Sequence, residues 1–141
     1  MVQDKKAILS SFIQQLWNQG DFAQIEQLVA PAYTIAEDRG DPWEGQTLDR
    51  DTFKQRVLYS RNAFPDLRFD IQDLITEDEK VVAKWMMSGT HLGDLPQLPA
   101  TGVPFSIAGM TIYHFANNQL CGHIQVFDQM AFLMQIGFFG R

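Results

Sequence analysis

Residues 105–128 read FSIAGMTIYHFANNQLCGHIQVFD, two runs of β-branched, aromatic and alternating residues on either side of an Asn-Asn pair. The pattern predicts a long β-hairpin, Phe105 to Phe115 and Leu120 to Asp128, turning around Asn117-Asn118. Upstream, Leu67, Phe69, Ile71, Asp73 and Ile75 alternate imperfectly with polar residues. Glu77-Asp78-Glu79 makes a charged turn, and Val81 to His91 resumes the strand chemistry, so a second long hairpin is expected. A loop through Pro96, Pro99 and Pro104 joins the two. Four long antiparallel strands therefore close the chain.

The first half has a different period. Ile8, Leu9, Phe12, Ile13, Leu16 and Trp17 recur at three- and four-residue offsets, which predicts an amphipathic helix. Asn18-Gln19-Gly20-Asp21 supplies a stop and then an N-cap for a short second helix, Phe22 to Val29, ending before Pro31. Tyr33 to Glu37 is a short strand, and the polar AEDRGDPWEG segment after it is a loop whose Pro42 and Trp43 suit the rim of a pocket. From Asp51, read as an N-cap, Phe53, Val57, Leu58 and Ala63 mark a third helix that stops at Phe64-Pro65-Asp66. Helices first and a meander afterward indicate α+β, with the helices on one face of a strongly bent antiparallel sheet.

Composition bounds the function. The 141 residues, 45% apolar and 20% charged, suit one domain over residues 1–141, large enough for a core without disulfides or a structural metal. A net charge of −6 is opposite to the basic footprint of nucleic-acid binders. The single Cys121 and three scattered His give neither a disulfide nor a metal-ligand spacing, which points to a reducing cytoplasm and to no bound metal. The amino terminus has no signal-peptide pattern, and the most apolar stretch, Ala131 to Phe139, is about half the ~20 residues of a membrane span. Phe132, Leu133, Ile136, Phe138 and Phe139 in that tail call for cover, so the tail is expected either to form a homodimer or to seal the fold.

Ionisable residues inside apolar strands carry the chemistry, because burying one is costly unless it is paired or used. Candidates are His91, His114, His123 and Asp128. Their sidedness depends on the last hairpin's register, since a slip of one residue turns every side chain to the other face. A two-residue turn at Asn117-Asn118 would put His114 with Cys121 and His123. A three-residue loop, Ala116 to Asn118, with a bulge would put it with Ile124, Val126 and Asp128. The second register is preferred, because Asn tolerates positive φ and the register gathers a His and a carboxylate over Ile112, Ile124 and Val126. Asp128 could then remove a proton beside a carbonyl while His114 stabilises the oxyanion, or Asp128 could simply cap the last helix. Tyr113 and His91 are secondary candidates. Trp17, Trp43, Trp85, Phe105 and Phe127 either wall a cavity for a flat apolar ligand or are plain core.

The ordered motifs WNQGDF (Trp17 to Phe22), PWEGQTLD (Pro42 to Asp49), AFPDL (Ala63 to Leu67), SGTHLGDLPQLPATG (Ser88 to Gly102), GMTIYHF (Gly109 to Phe115) and GHIQVFD (Gly122 to Asp128), then QIG (Gln135 to Gly137), carry a resemblance. The chain resembles the SnoaL-like polyketide cyclases, also called ester cyclases, of the nuclear transport factor two-like superfamily. The resemblance implies a cone-shaped fold around an apolar pocket and a cofactor-free intramolecular aldol cyclisation of a small carbonyl-containing ligand. It also implies an acid/base Asp at Asp128 and a His at His114. Many relatives carry His where this chain has Ile35, Ala36, Glu37 and Asp38, and Trp where it has Ile124. The alternative expectation is a protein that binds an apolar metabolite without turnover.

Overall fold

In the computed structural model, which describes residues 4–139, Asp4 accepts from the backbone N–H of Lys6 at 3.0 Å and opens helix α1, Lys5–Phe12. Its stripe continues through a π-helical turn, Ile13–Asn18, so Leu9, Phe12, Ile13, Leu16 and Trp17 are buried together. The second helix, α2, is shorter than expected, Ile25–Leu28. Asp21 spends its carboxylate on the N–H of Ala23 at 2.9 Å in a local turn rather than capping that helix, and Val29 already belongs to a strand.

That strand, β1, is Val29–Asp38, twice the predicted length, and β2 is Thr47–Leu48. Helix α3 is Arg50–Ala63 and starts two residues before the expected point, because Asp49 rather than Asp51 accepts from Thr52 N–H at 2.8 Å. The meander is β3 Arg68–Glu77, β4 Lys80–Thr90, β5 Pro104–Ala116 and β6 Gln119–Phe127, and α4, Gln129–Gln135, follows. Asn18 at the end of the π-helical turn grips the meander's edge, accepting from Phe69 N–H at 2.7 Å and donating to Phe69 C=O at 3.0 Å.

The α+β class stands, with one correction. The sheet runs β2-β1-β6-β5-β4-β3 and is mixed, since β1 lies parallel to β6. A parallel pair needs a long crossover, and local sequence does not reveal which distant strand a given strand will join. The last turn also differs from the preferred reading. Asn117 and Asn118 both take positive φ, +51° and +62°, as a two-residue loop between Ala116 and Gln119.

Two bulges set the inner surface. In β6 the register shifts between His114↔Gly122 and Phe115↔Leu120, leaving Cys121 as an extra residue. In β1 the partners jump from Ile35↔His123 to Glu37↔Ile124, leaving Ala36 extra. Each extra residue reverses the alternation beyond it, so His123 follows buried Leu120 inward and Asp38 follows buried Ile35 inward. On that inner face Trp85 lies across Gly109, where a Cβ would come within 2.3 Å of the indole, so only glycine fits. Phe12, Phe53 and Tyr113 close the aromatic core, with the Phe12 ring 5.8 Å from each of the other two. No helix among the described residues is long and apolar enough to cross a membrane.

Candidate active site

The inner face, α3 and the chain around Leu95–Leu98 enclose a cavity of about 470 Å³, within the usual range for small-molecule sites. Trp17, Phe64, Phe69, Trp85, Ile107 and Phe132 make much of its wall apolar. Its polar side gathers Tyr33, Asp38, Arg56, Tyr113, His123 and Gln125, contributed by β1, α3, β5 and β6.

His123 stands at the centre of this group, 2% exposed. Its Nε2 is 2.8 Å from Asp38 Oδ2, and its Nδ1 is 2.7 Å from the Tyr33 hydroxyl. Burial lowers its pKa, the Arg56 charge adds to this, and the bond to Asp38 opposes without reversing it. The resting ring is therefore neutral. The carboxylate selects the tautomer with hydrogen on Nε2, so Nδ1 accepts from Tyr33 O–H. Burial, followed by the neighbouring Tyr113, pushes the Tyr33 phenol well above its ordinary pKa, so it remains a donor.

Arg56 compensates the carboxylate charge. Its Nη2 donates to Asp38 Oδ2 at 3.0 Å and its Nε to Asp41 Oδ2 at 2.8 Å, while the guanidinium sits 5.2 Å from the Trp17 ring centre. Burial opposes its charge, and Asp41 and Asp38 outweigh that opposition. The chain continues on the sheet side. Gln125 donates to Asp38 Oδ1 at 3.4 Å, Thr111 donates to Gln125 Oε1 at 2.8 Å, and Trp85 Nε1–H donates to Thr111 at 2.9 Å. A neutral imidazole oriented by a carboxylate, with its second nitrogen turned to a phenol at an apolar cavity, is suited to taking a proton from bound ligand and returning one. Among the described residues no group of three or more His, Cys, Asp or Glu is placed to hold a metal.

The sequence candidates scatter against this geometry. Trp17, Trp85 and Tyr113 line the cavity. Trp43 stands behind it, edge-on to Tyr59 at 5.3 Å, and Phe105 backs Phe64 and Phe132 at 4.8 and 5.1 Å. His91 is fully buried below Phe64, its Nδ1 3.2 Å from the Thr101 hydroxyl, and does not line the cavity. His114 shares a face with Ile112, Ile124 and Val126 as expected, but that face is the outer one, where Met110 is 47% and Val126 65% exposed. Asp128 is exposed and accepts from Ala131 N–H at 2.9 Å as the cap of α4. The structure therefore does not bring His114 and Asp128 together at the cavity. Of the tail, Phe132 and Leu133 line the cavity while Phe138 and Phe139 are 52% and 60% exposed.

Sequence reasoning missed Tyr33, Asp38, Asp41 and Arg56, and put His123 on the wrong side. One signal was present: Arg56 stands three residues after Phe53 and one before Val57, a cation on the apolar stripe of α3.

The comparisons agree with this architecture. The family model described as SnoaL-like polyketide cyclase matches residues 7–136. Comparison with curated proteins gives no match. Among solved structures, a candidate polyketide cyclase from Acidithiobacillus ferrooxidans is 39% identical with a TM-score of 0.85, each chain covered over 96%. TsrD from Streptomyces laurentii is 20% identical with a TM-score of 0.81, covering 97% of this chain and 98% of its own. IdmH, a candidate polyketide cyclase from Streptomyces antibioticus, is 22% identical with a TM-score of 0.79, covering 96% and 99%. These last two likenesses concern the cone fold alone. The family match over nearly the whole chain, together with the 39% identical relative, places this protein in the SnoaL-like polyketide cyclase family.

Proposed function

We propose that the protein is a cofactor-independent acid/base enzyme of the polyketide cyclase type, acting on a small apolar carbonyl compound. The supporting observation is the buried His123, oriented by Asp38 and joined through Nδ1 to Tyr33 on the wall of a largely apolar cavity. This reading moves the acid/base pair from His114 and Asp128, which the fold turns to the outer face and to a helix cap.

On binding, the Tyr33 O–H passes from Nδ1 to the substrate oxygen, which frees Nδ1. Nδ1 then takes the hydrogen α to that carbonyl. The C–H pair becomes the enolate π bond, and the developing oxyanion is held by Tyr33. Attack of the enolate carbon on a second carbonyl forms the new C–C bond, and the imidazolium returns its proton to the resulting alkoxide. Atoms and charge balance without a co-reactant.

The half-reaction can be tested without the natural substrate. In D2O the protein should accelerate exchange of the α-hydrogens of 2-tetralone, followed by proton NMR. His123→Gln should lower that rate by about 100-fold or more, the scale of acid/base catalysis, while tetralone still binds. Binding by the wild type without faster exchange, or full exchange by the variant, would overturn the reading, the former in favour of a binding protein.

A further inference from the structure

Asp41 lies outside the Asp38–His123–Tyr33 chain, yet it lines the cavity from the loop after β1 and is tied to the chain by one intermediary. Its Oδ2 takes the Nε–H of Arg56 at 2.8 Å, while its Oδ1 accepts the N–H of Trp43 at 2.8 Å. The other end of the same guanidinium reaches Asp38 Oδ2 at 3.0 Å, and that oxygen also receives His123 Nε2 at 2.8 Å. Arg56 and His123 thus share a single carboxylate oxygen, and Asp41 holds the guanidinium from its other edge.

We propose that Asp41 is a positioning residue for His123: by holding Arg56 through Nε, it prevents the guanidinium from closing with both prongs on Asp38 and so keeps Oδ2 available to fix the imidazole. This deepens the acid/base reading above and rests on it for its catalytic meaning. The geometry gives the reason. A guanidinium offers a planar fork that matches a carboxylate bidentately, and without a second acceptor for Nε that fork closes on Asp38. Asp38 would then be more fully compensated, Nε2–H would lose much of its acceptor, and the preference for hydrogen on Nε2 would weaken. The groups facing His123 from the elements around it are Asp38 and Tyr33 of β1, Arg56 of α3, Asp41 of the loop and Tyr113 of β5. Among these, Asp41 also acts directly, its charge raising the proton affinity of His123.

The anchoring of Asp41 joins this arrangement to the loop after β1. Asp41 is followed by Pro42, and Trp43, whose N–H it holds, packs on Tyr59 of α3, itself a lining residue. A change in that loop therefore reaches His123 through one ion pair.

The test reads His123 directly by side-chain ¹H–¹⁵N NMR across pH, the three histidines being assigned by single His→Gln variants. In the wild type His123 should be a nearly pure Nε2–H tautomer. In Asp41→Asn, which can still accept from Trp43 N–H, the tautomers should mix and the titration midpoint should fall. Asp41→Glu should restore the wild-type tautomer at least in part. A tautomer and midpoint unchanged by Asp41→Asn would overturn the proposal. An Asn variant that unfolds leaves a second route, Arg56→Lys, whose single ammonium cannot bridge two carboxylates in the same plane. With no fork to close on Asp38, that variant should keep the Nε2–H tautomer, and a mixed tautomer there would also overturn the coupling. These readouts need no substrate, so failure of the acid/base reading, judged by tetralone exchange, registers separately from failure of this coupling.

Discussion

The two faces of the β5–β6 hairpin use neighbouring residues of the same strands to opposite ends. The inner face carries Thr111, Tyr113, His123 and Gln125 in one hydrogen-bonded and aromatic group, and the outer face carries Met110, Ile112, His114, Ile124 and Val126. Both faces hold a histidine of lowered pKa, but for different reasons. His123 is lowered by nearly complete burial against its bond to Asp38, and His114 by partial burial beside Lys80. One face therefore concentrates compensated charge, and the other merely tolerates a polar residue. A histidine in a strand acquires chemistry from what lies opposite it, not from the strand itself.

The most severe way to break the inner face is to remove its carboxylate. Asp38→Ala leaves the Arg56 cation half compensated and His123 without its acceptor, both fully inside. Loss of one partner from a buried pair costs about 3–5 kcal/mol, which urea unfolding should register. A loss below about 1 kcal/mol would mean that water or Asp41 replaces the carboxylate.

Acid titration sharpens the contrast between the two histidines. A folded pKa below the unfolded value of about 6.5 means that the unfolded chain binds the extra proton first. Stability from His123 is therefore fully present above pH of about 6.5, is lost as the pH falls toward its folded value, and is constant below that. The slope in the window is at most about 1.4 kcal/mol per pH unit for one group. His123→Gln should remove most of it, and His114→Gln only a little, since the partly exposed ring is screened by solvent. Equal effects from the two variants would erase the distinction between the faces.

The smallest effects belong to the residues that sequence alone singled out. Asp128→Ala should cost about 1 kcal/mol, the usual worth of an N-cap, and His114→Gln at neutral pH less than about 0.5 kcal/mol. Neither should slow tetralone exchange by more than about twofold if catalysis resides at His123. A loss of about 100-fold in Asp128→Asn would return the chemistry to the end of β6.

Much of the fold was legible because its signals are local. The 3.6-residue stripe from Ile8 to Trp17, the stop at Phe64-Pro65 and the place of the turn at Asn117-Asn118, though not its two-residue form, are each stated within a few residues. The partition of His114 with Ile124 and Val126, away from His123 and Gln125, was legible too. Which of the two sets faces inward was not. The apolar appearance of Ile112, Ile124 and Val126 argued for the interior, while the interior in fact holds the polar set, satisfied by partners from β1 and α3. A polar residue reads as exposed until its partners are known.

The sequence by itself determined the long elements, their order, the α+β class and, through its spaced motifs, the family. These follow from short-range sterics, from hydrophobic periodicity and from inheritance. Only the tertiary structure decided the site. The parallel pairing of β1 with β6 brings Asp38 to His123 across a separation of 85 residues, α3 sets Arg56 between two carboxylates, and the extra residues Ala36 and Cys121 reverse the alternation just before the residues that matter. Alternation is a two-residue rule, whereas the bulge that breaks it is stabilised by contacts made only when distant strands have met.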